Sequence, residues 1–162
     1  LAIKETSVNT GLRLTFNSKK LMYSGSGYSG TPLAKKLGIK GGDRIKLINA
    51  PDHYFQLFSD LPANLNFDDV EYPKKNLIHF FTNDLHELLE LLPQLKNQIL
   101  QDGMIWVSWP KKSSKVKTDV TETDIRNYAL SIGLVDIKVC AIDEVWSGLK
   151  MVIPVKDRKK GE

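Results

Sequence analysis

Cysteine occurs once in the 162 residues, as Cys140. A lone thiol forms no intrachain disulfide and cannot supply a zinc site built on several cysteine ligands, so a reducing, cytoplasmic setting is expected. Histidine is nearly as scarce. His53, His79 and His86 stand at no metal-ligand spacing, and there is no His-Glu-x-x-His pair, no Walker loop and no Gly-x-Ser-x-Gly elbow. Long apolar runs are missing too. The longest candidates, Leu77–Phe81 and Leu85–Leu92, are short or broken by charge, well below the ~18–20 residues a membrane span needs. Leu1–Thr10 is mixed and polar, without the apolar stretch of a secretory signal. There is no internal repeat and no low-complexity tract. Taken together, these shortages point to no metal, no cofactor and no membrane partner.

What is present describes an ordinary globular chain. Hydrophobic residues make up 41% and charged residues 26%. A chain of this length buries roughly 70% of its unfolded surface, enough for a core without staples. The net charge of +4 and pI of about 9.1 permit anionic ligands or nucleic acid without implying either. Charge placement is more telling. Lys111, Lys112, Lys115 and Lys117 crowd one segment, and Lys156, Arg158, Lys159 and Lys160 crowd the C-terminus.

Residues 1–27 are expected to be a flexible N-terminal extension, 28–156 a single α/β domain, and 157–162 a basic tail. In the extension, Leu12, Leu14 and Phe16 alternate with polar residues as in a short strand, before a Gly/Ser-rich stretch. Thr31 as N-cap, Pro32 as first helical residue and Gly38 as stop frame a short helix. Arg44–Asn49 reads as a strand, His53–Phe58 as a helix, Leu65–Phe67 as a short strand and Asn76–Thr82 as a strand covered on both faces. Leu85, Leu88, Leu89 and Leu92 give a helical stripe. Pro93 within it predicts a kink or a second helix over 94–100. Asp102-Gly103 reads as a turn and Met104–Trp109 as a buried strand. A capped helix spans about Glu122–Ile132, with Asp119/Glu122 and Thr121/Asp124 both at capping-box spacing. Leu134–Ile142 and Leu149–Val155 flank a turn at Val145–Gly148. Alternating strands and helices imply right-handed crossovers and a Rossmann-like three-layer α/β/α fold, its sheet mostly parallel with an antiparallel C-terminal strand.

Ligands of such sheets sit beyond the carboxyl ends of the parallel strands. That rule selects the loops 49–53, 82–84, 109–121 and 142–147. The third offers Trp109, four lysines and a helix N-terminus, a setting that favours phosphate or carboxylate. The plain alternative is a solvated loop whose lysines confer solubility. Asp143, Glu144 and Trp146 fill the fourth loop, where capping a turn competes with acid–base chemistry. The string Gly25-x-Gly27-x-x-Gly30 has the form of a dinucleotide fingerprint, but Lys19–Tyr23 before it makes a poor strand. His79 reads as a satisfied buried histidine and Cys140 as a buried, inert thiol.

Several strings occur together in a distinctive order: Tyr28–Ile39, Trp109-Pro110-Lys111-Lys112, Gly133–Asp136, Lys138–Glu144 and Trp146-Ser147-Gly148-Leu149. In these the chain resembles the bacterial domain-of-unknown-function family 3052, over about residues 28–158. Residues 1–21 have no counterpart in the resemblance, and Met22 falls near the usual start. The resemblance implies a fold and no activity. In architecture, Asp84–Val155 looks like the C-terminal half of a class I methyltransferase, and Ile39–Ile45 like the approach to that fold's first strand. Such enzymes carry a Gly-x-Gly turn after that strand, where this chain reads Asn49-Ala50-Pro51-Asp52. The shape is expected to be shared and the cofactor site is not.

The expected function is therefore non-enzymatic binding of an anion or a partner through Trp109, Lys111, Lys112, Thr121, Asp143 and Trp146. A phosphorylated or carboxylated small molecule suits those residues. A small-molecule transferase with a degenerate methyltransferase-like fold is the alternative, and weak nucleic-acid binding the third.

Overall fold

The computed structural model describes residues 12–14, 30–67 and 70–161. Seven strands form one mixed sheet: β1 (Leu12–Leu14), β2 (Arg44–Ile48), β3 (Leu65–Phe67), β4 (Lys75–Phe81), β5 (Ile99–Pro110), β6 (Val135–Ala141) and β7 (Trp146–Val152). Their spatial order is β1-β3-β2-β4-β5-β7-β6. The pairs β3–β2, β2–β4 and β4–β5 are parallel, while β5–β7, β7–β6 and β1–β3 are antiparallel. The helices are α1 (Leu33–Leu37), α2 (Leu85–Lys96) and α3 (Glu122–Ser131). This is the expected Rossmann-like α/β architecture. The flexibility expected of residues 1–27 and the glycine string from Gly25 lie outside the described residues, except for Leu12–Leu14 and Gly30.

Period-two alternation along β4 sends Leu77 and Phe81 to one face, and Ile78 and Phe80 to the other. The first face is covered by α1 and a 3-10 turn at Tyr54–Leu57, packed on Trp106. The second is covered by α2 and α3, packed on Ile105 and Val107. Each fully buried Leu, Ile or Phe contributes about 1.5–3 kcal/mol relative to exposure. His79 lies at the centre of the sheet, fully buried. It is hydrogen-bonded through Nδ1 to the Tyr54 hydroxyl at 3.0 Å and through Nε2 to Ser108 Oγ at 2.8 Å. Burial pushes its pKa down to about 3, so it is neutral. Among the described residues, no buried side-chain nitrogen or oxygen lacks a hydrogen-bond partner.

Six local expectations are corrected. Asp102-Gly103 is not a turn but part of β5. The register slips from Lys75↔Ile99 to Leu77↔Met104, a bulge that absorbs the extra residues. Gly103 is required there, because an added Cβ would lie 2.9 Å from the Lys75 carbonyl oxygen. Pro93 neither kinks α2 into a second helix nor ends it. The helix runs to Lys96, and β5 starts at Ile99. Its buried face is Leu88, Leu92 and Leu95, and Leu89 points outward. His53–Phe58 holds only a single 3-10 turn. Pro32 is the N-cap of α1 rather than its first residue, and the Asp60 carboxylate supplies the missing cap by accepting from Ala34 and Lys35 N–H. Finally, the last hairpin turns before Trp146, and β7 ends at Val152.

Candidate functional site

β3 lies on one side of β2 and β4 on the other, so the sheet's topological switch point falls between the carboxyl ends of β2 and β4. Side chains span that crevice. Asn49, in a left-handed conformation (φ 57°), leaves β2 and donates through Nδ2 to the Phe81 carbonyl at 3.1 Å and to Glu87 Oε2 at 3.2 Å. The Thr82 hydroxyl donates to Glu87 Oε1 at 2.6 Å. Ala50 beside them is buried, and Phe55 packs edge-on against Tyr54 and Phe67. Where a glycine turn would leave room for a ligand, this chain ties β2, β4 and α2 together.

A second tie crosses from the β2 loop to the C-terminal hairpin. His53 Nε2 lies 3.0 Å from Asp143 Oδ2. The other oxygen of Asp143 accepts from the N–H groups of Val145 and Trp146, at 2.8 and 2.7 Å. Asp143 is thereby buried and fixes the hairpin turn, while His53 is half exposed. Trp146 stands edge-on to Phe81 with ring centroids 5.1 Å apart.

The lysine loop leaves the same end of the sheet. Lys111 N–H donates to the Val145 carbonyl at 2.7 Å, which sets the loop beside the Asp143 turn. Internal bonds then fix its shape. Ser114 Oγ donates to the Lys111 carbonyl at 2.6 Å and accepts from Val116 N–H at 3.2 Å, and Lys115 takes a left-handed conformation at φ 60°. Farther on, Thr118 Oγ1 and Asp119 N–H both donate to the Asn83 carbonyl, and Asp119 Oδ1 accepts from Leu85 N–H. Lys112, Lys115 and Lys117 are left exposed, with Val116 exposed among them. Among the described residues no carboxylate lies within ion-pair distance of these three lysines. A groove of about 370 Å³ at the base of the loop is lined by Asn83, Asp84, Lys117, Thr118 and Asp119.

Of the six residues expected to form one site, the fold brings Lys111, Asp143 and Trp146 together, with Lys112 on the adjoining loop. It separates the other two. Trp109 is buried in the cluster beneath α2 and α3, on the opposite face from Trp146. The reason is the register: Pro110 pairs with Trp146 and Trp109 with Ser147, so the two indoles alternate across the sheet. Thr121 spends its hydroxyl on the capping box of α3, with Asp124. Reasoning from sequence missed His53, Asn49 and Glu87, because each acquires its partner only through tertiary contact. Cys140 is half buried, and desolvation raises its thiol pKa against the opposing effect of Lys36 and Lys138, so it is a thiol rather than a thiolate. Among the described residues no three His, Cys, Asp or Glu side chains gather into a metal-binding group, and no helix is long and apolar enough to cross a membrane.

In fold the chain is similar to a solved Rossmann-like methyltransferase structure. A SAM-dependent methyltransferase from Aquifex aeolicus aligns over 86% of this chain and 100% of its own, with 13% identity and a TM-score of 0.52. The M1A22 tRNA methyltransferase of B. subtilis aligns over 90% of this chain and 69% of its own, with 8% identity and a TM-score of 0.48. Identities this low establish shape alone. No curated protein matches the sequence. The chain itself belongs to the family described as "Protein of unknown function (DUF3052)", whose model matches residues 60–155.

Proposed function

We propose that this protein is a non-enzymatic docking module that binds an acidic partner through the Lys111–Lys117 loop. The observation that carries this reading is the hydrogen-bonded loop holding Lys112, Lys115 and Lys117 outward around exposed Val116. An apolar contact ringed by cations suits an acidic protein surface, where charge steers encounter and the apolar residue is desolvated on docking. A compact small anion fits this end less well. The groove at the base of the loop carries the carboxylates of Asp84 and Asp119, both committed to capping α2. Lys112, Lys115 and Lys117, by contrast, have no carboxylate within ion-pair distance among the described residues.

Fluorescence anisotropy with labelled poly-L-glutamate tests the reading. The wild-type chain is expected to bind at low salt and to weaken as salt screens the lysines. The charge reversal Lys112→Glu/Lys115→Glu/Lys117→Glu is expected to abolish binding. Equal binding by that variant would remove the loop from the function.

The transferase reading has one observation in its favour, the half-exposed His53 held by buried Asp143 at the carboxyl end of a methyltransferase-like sheet. The Asn49–Glu87–Thr82 network opposes it, because it ties together the strand ends between which a cofactor would enter. S-adenosylmethionine is accordingly expected to leave the melting temperature unchanged; a saturable rise would restore the transferase reading.

A further inference from the structure

A separate cluster of positive charge lies on the α1 face of the sheet, away from the lysine loop. One lateral row crosses five strands there, Leu47–His79–Trp106–Lys150–Lys138, each residue directly opposite the next. The row is apolar or neutral at its centre and ends in two lysines paired across β7 and β6. Like charges directly opposite each other on one face oppose folding. The end of α1 adds two more. Gly38 terminates that helix, and a Cβ built on it would lie 3.9 Å from Lys150 Nζ and 3.4 Å from Met104 Cε. Lys36 and Lys40 flank Gly38 in the chain.

Electrostatics agree with this geometry. Lys150 has a lowered pKa, chiefly from desolvation and then from the neighbouring charges of Lys138 and Lys40. Lys36 and Lys138 both act on the Cys140 thiol between them. Among the described residues none of the four ammonium groups has a carboxylate within ion-pair distance. Asp43 neighbours one of them: its Oδ2 accepts from the Lys40 backbone N–H and it feels the Lys40 charge. Among the described residues no acidic side chain neutralises these four cations, and the nearby Trp106 Nε1 donates to the Leu37 carbonyl at the end of α1.

We propose that Lys36, Lys40, Lys138 and Lys150 form a binding site for a small polyphosphate-bearing compound, over a floor of Met104 and Cys140. Several phosphoryl charges in one short chain match four cations brought together from two strands and one helix end, which a single carboxylate does not. A strand of nucleic acid suits the lysine cluster less well, since Trp106, the aromatic residue of the row, is fully buried and gives bases nothing to stack on.

The test is calorimetric titration of the full chain with inorganic triphosphate and, in a parallel arm, a short single-stranded oligonucleotide. Triphosphate is expected to bind one site. Lys138→Gln/Lys150→Gln is expected to weaken it by about tenfold or more, as loss of a desolvated charge contact does. That variant should also melt higher than wild type without ligand, because it removes a like-charge pair. Lys112→Gln/Lys115→Gln/Lys117→Gln should leave triphosphate affinity unchanged, which separates this site from the docking loop. Three results would overturn the proposal: no binding of triphosphate, equal weakening by both variants, or tighter binding of the oligonucleotide through the same lysines.

Discussion

Asp143 and His53 join segments ninety positions apart in the chain, with the carboxylate at 3.0 Å from the ring nitrogen, yet the two partners contribute unequally. Asp143 also holds two backbone N–H groups of the hairpin turn, in a site from which water is largely excluded. Replacing it with alanine leaves both donors without their acceptor, and about 2–3 kcal/mol of stability is expected to go. His53 is half exposed, and His53→Ala should cost less than about 1 kcal/mol. Urea denaturation of the two variants checks the ratio. Equal costs would mean that the tie between the loops, rather than the turn cap, stabilises this end of the sheet.

Stability should depend on pH through His79. Its pKa is lowered in the folded chain, to about 3, and returns to the ordinary 6.5 on unfolding. Between these values the unfolded chain binds the additional proton, so stability is full above pH 6.5 and falls as pH drops toward 3. The slope is at most about 1.4 kcal/mol per pH unit. Over pH 5 to 6.5 a variant that lacks this histidine separates its share from that of other groups. His79→Gln retains groups able to meet Tyr54 and Ser108 but does not titrate. Its stability should fall less steeply than that of wild type over that interval, and a slope equal to wild type would show that another group is responsible.

The strands were legible wherever burial dictated composition. Asn76–Thr82 and Met104–Trp109 are apolar because both faces of β4 and β5 are covered, and the capping pair Thr121/Asp124 marks the start of α3 locally. Features that depend on a partner strand were not legible. Asp102-Gly103 has the residues of a turn, and only its pairing against Lys75 makes it a bulge. Trp109 and Trp146 both sit at strand ends and looked like one surface; the Pro110↔Trp146 register puts them on opposite faces. The lysine loop was visible as composition, but its fixed shape depends on Val145 and Asn83, neither of them near it in sequence.

Gly103 gives that bulge a direct test. Its missing side chain leaves space for two backbone carbonyls, since a Cβ would stand 2.9 Å from Lys75 O and 3.0 Å from Leu100 O. Backbone atoms cannot swing aside as a flexible side chain can. Gly103→Ala is expected to destabilise by about 1–3 kcal/mol through overpacking. Gly30→Ala serves as the control, because among the described residues nothing lies within 4 Å of its Cβ position, and it should stay within about 0.5 kcal/mol of wild type. Thermal melts of both variants decide the matter, and a harmless Gly103→Ala would mean that β5 re-registers freely.

Pro93 passes through α2 because another residue takes over its lost bond. A proline has no N–H to give the carbonyl four residues back, here that of Leu89. The Tyr128 hydroxyl, from α3, donates to that same carbonyl at 2.8 Å. The interaction therefore repairs a helix defect and fastens α3 to α2 at once. Tyr128→Phe is expected to cost about 0.5–1.5 kcal/mol, the usual net value of one hydrogen bond. Pro93→Ala restores the helical donor, so in that background the Leu89 carbonyl no longer needs the tyrosine and Tyr128→Phe should cost less. The double-mutant cycle measures the difference as a coupling energy. A coupling near zero would mean that water, rather than Tyr128, satisfies the orphaned carbonyl and that α2 tolerates its proline for another reason.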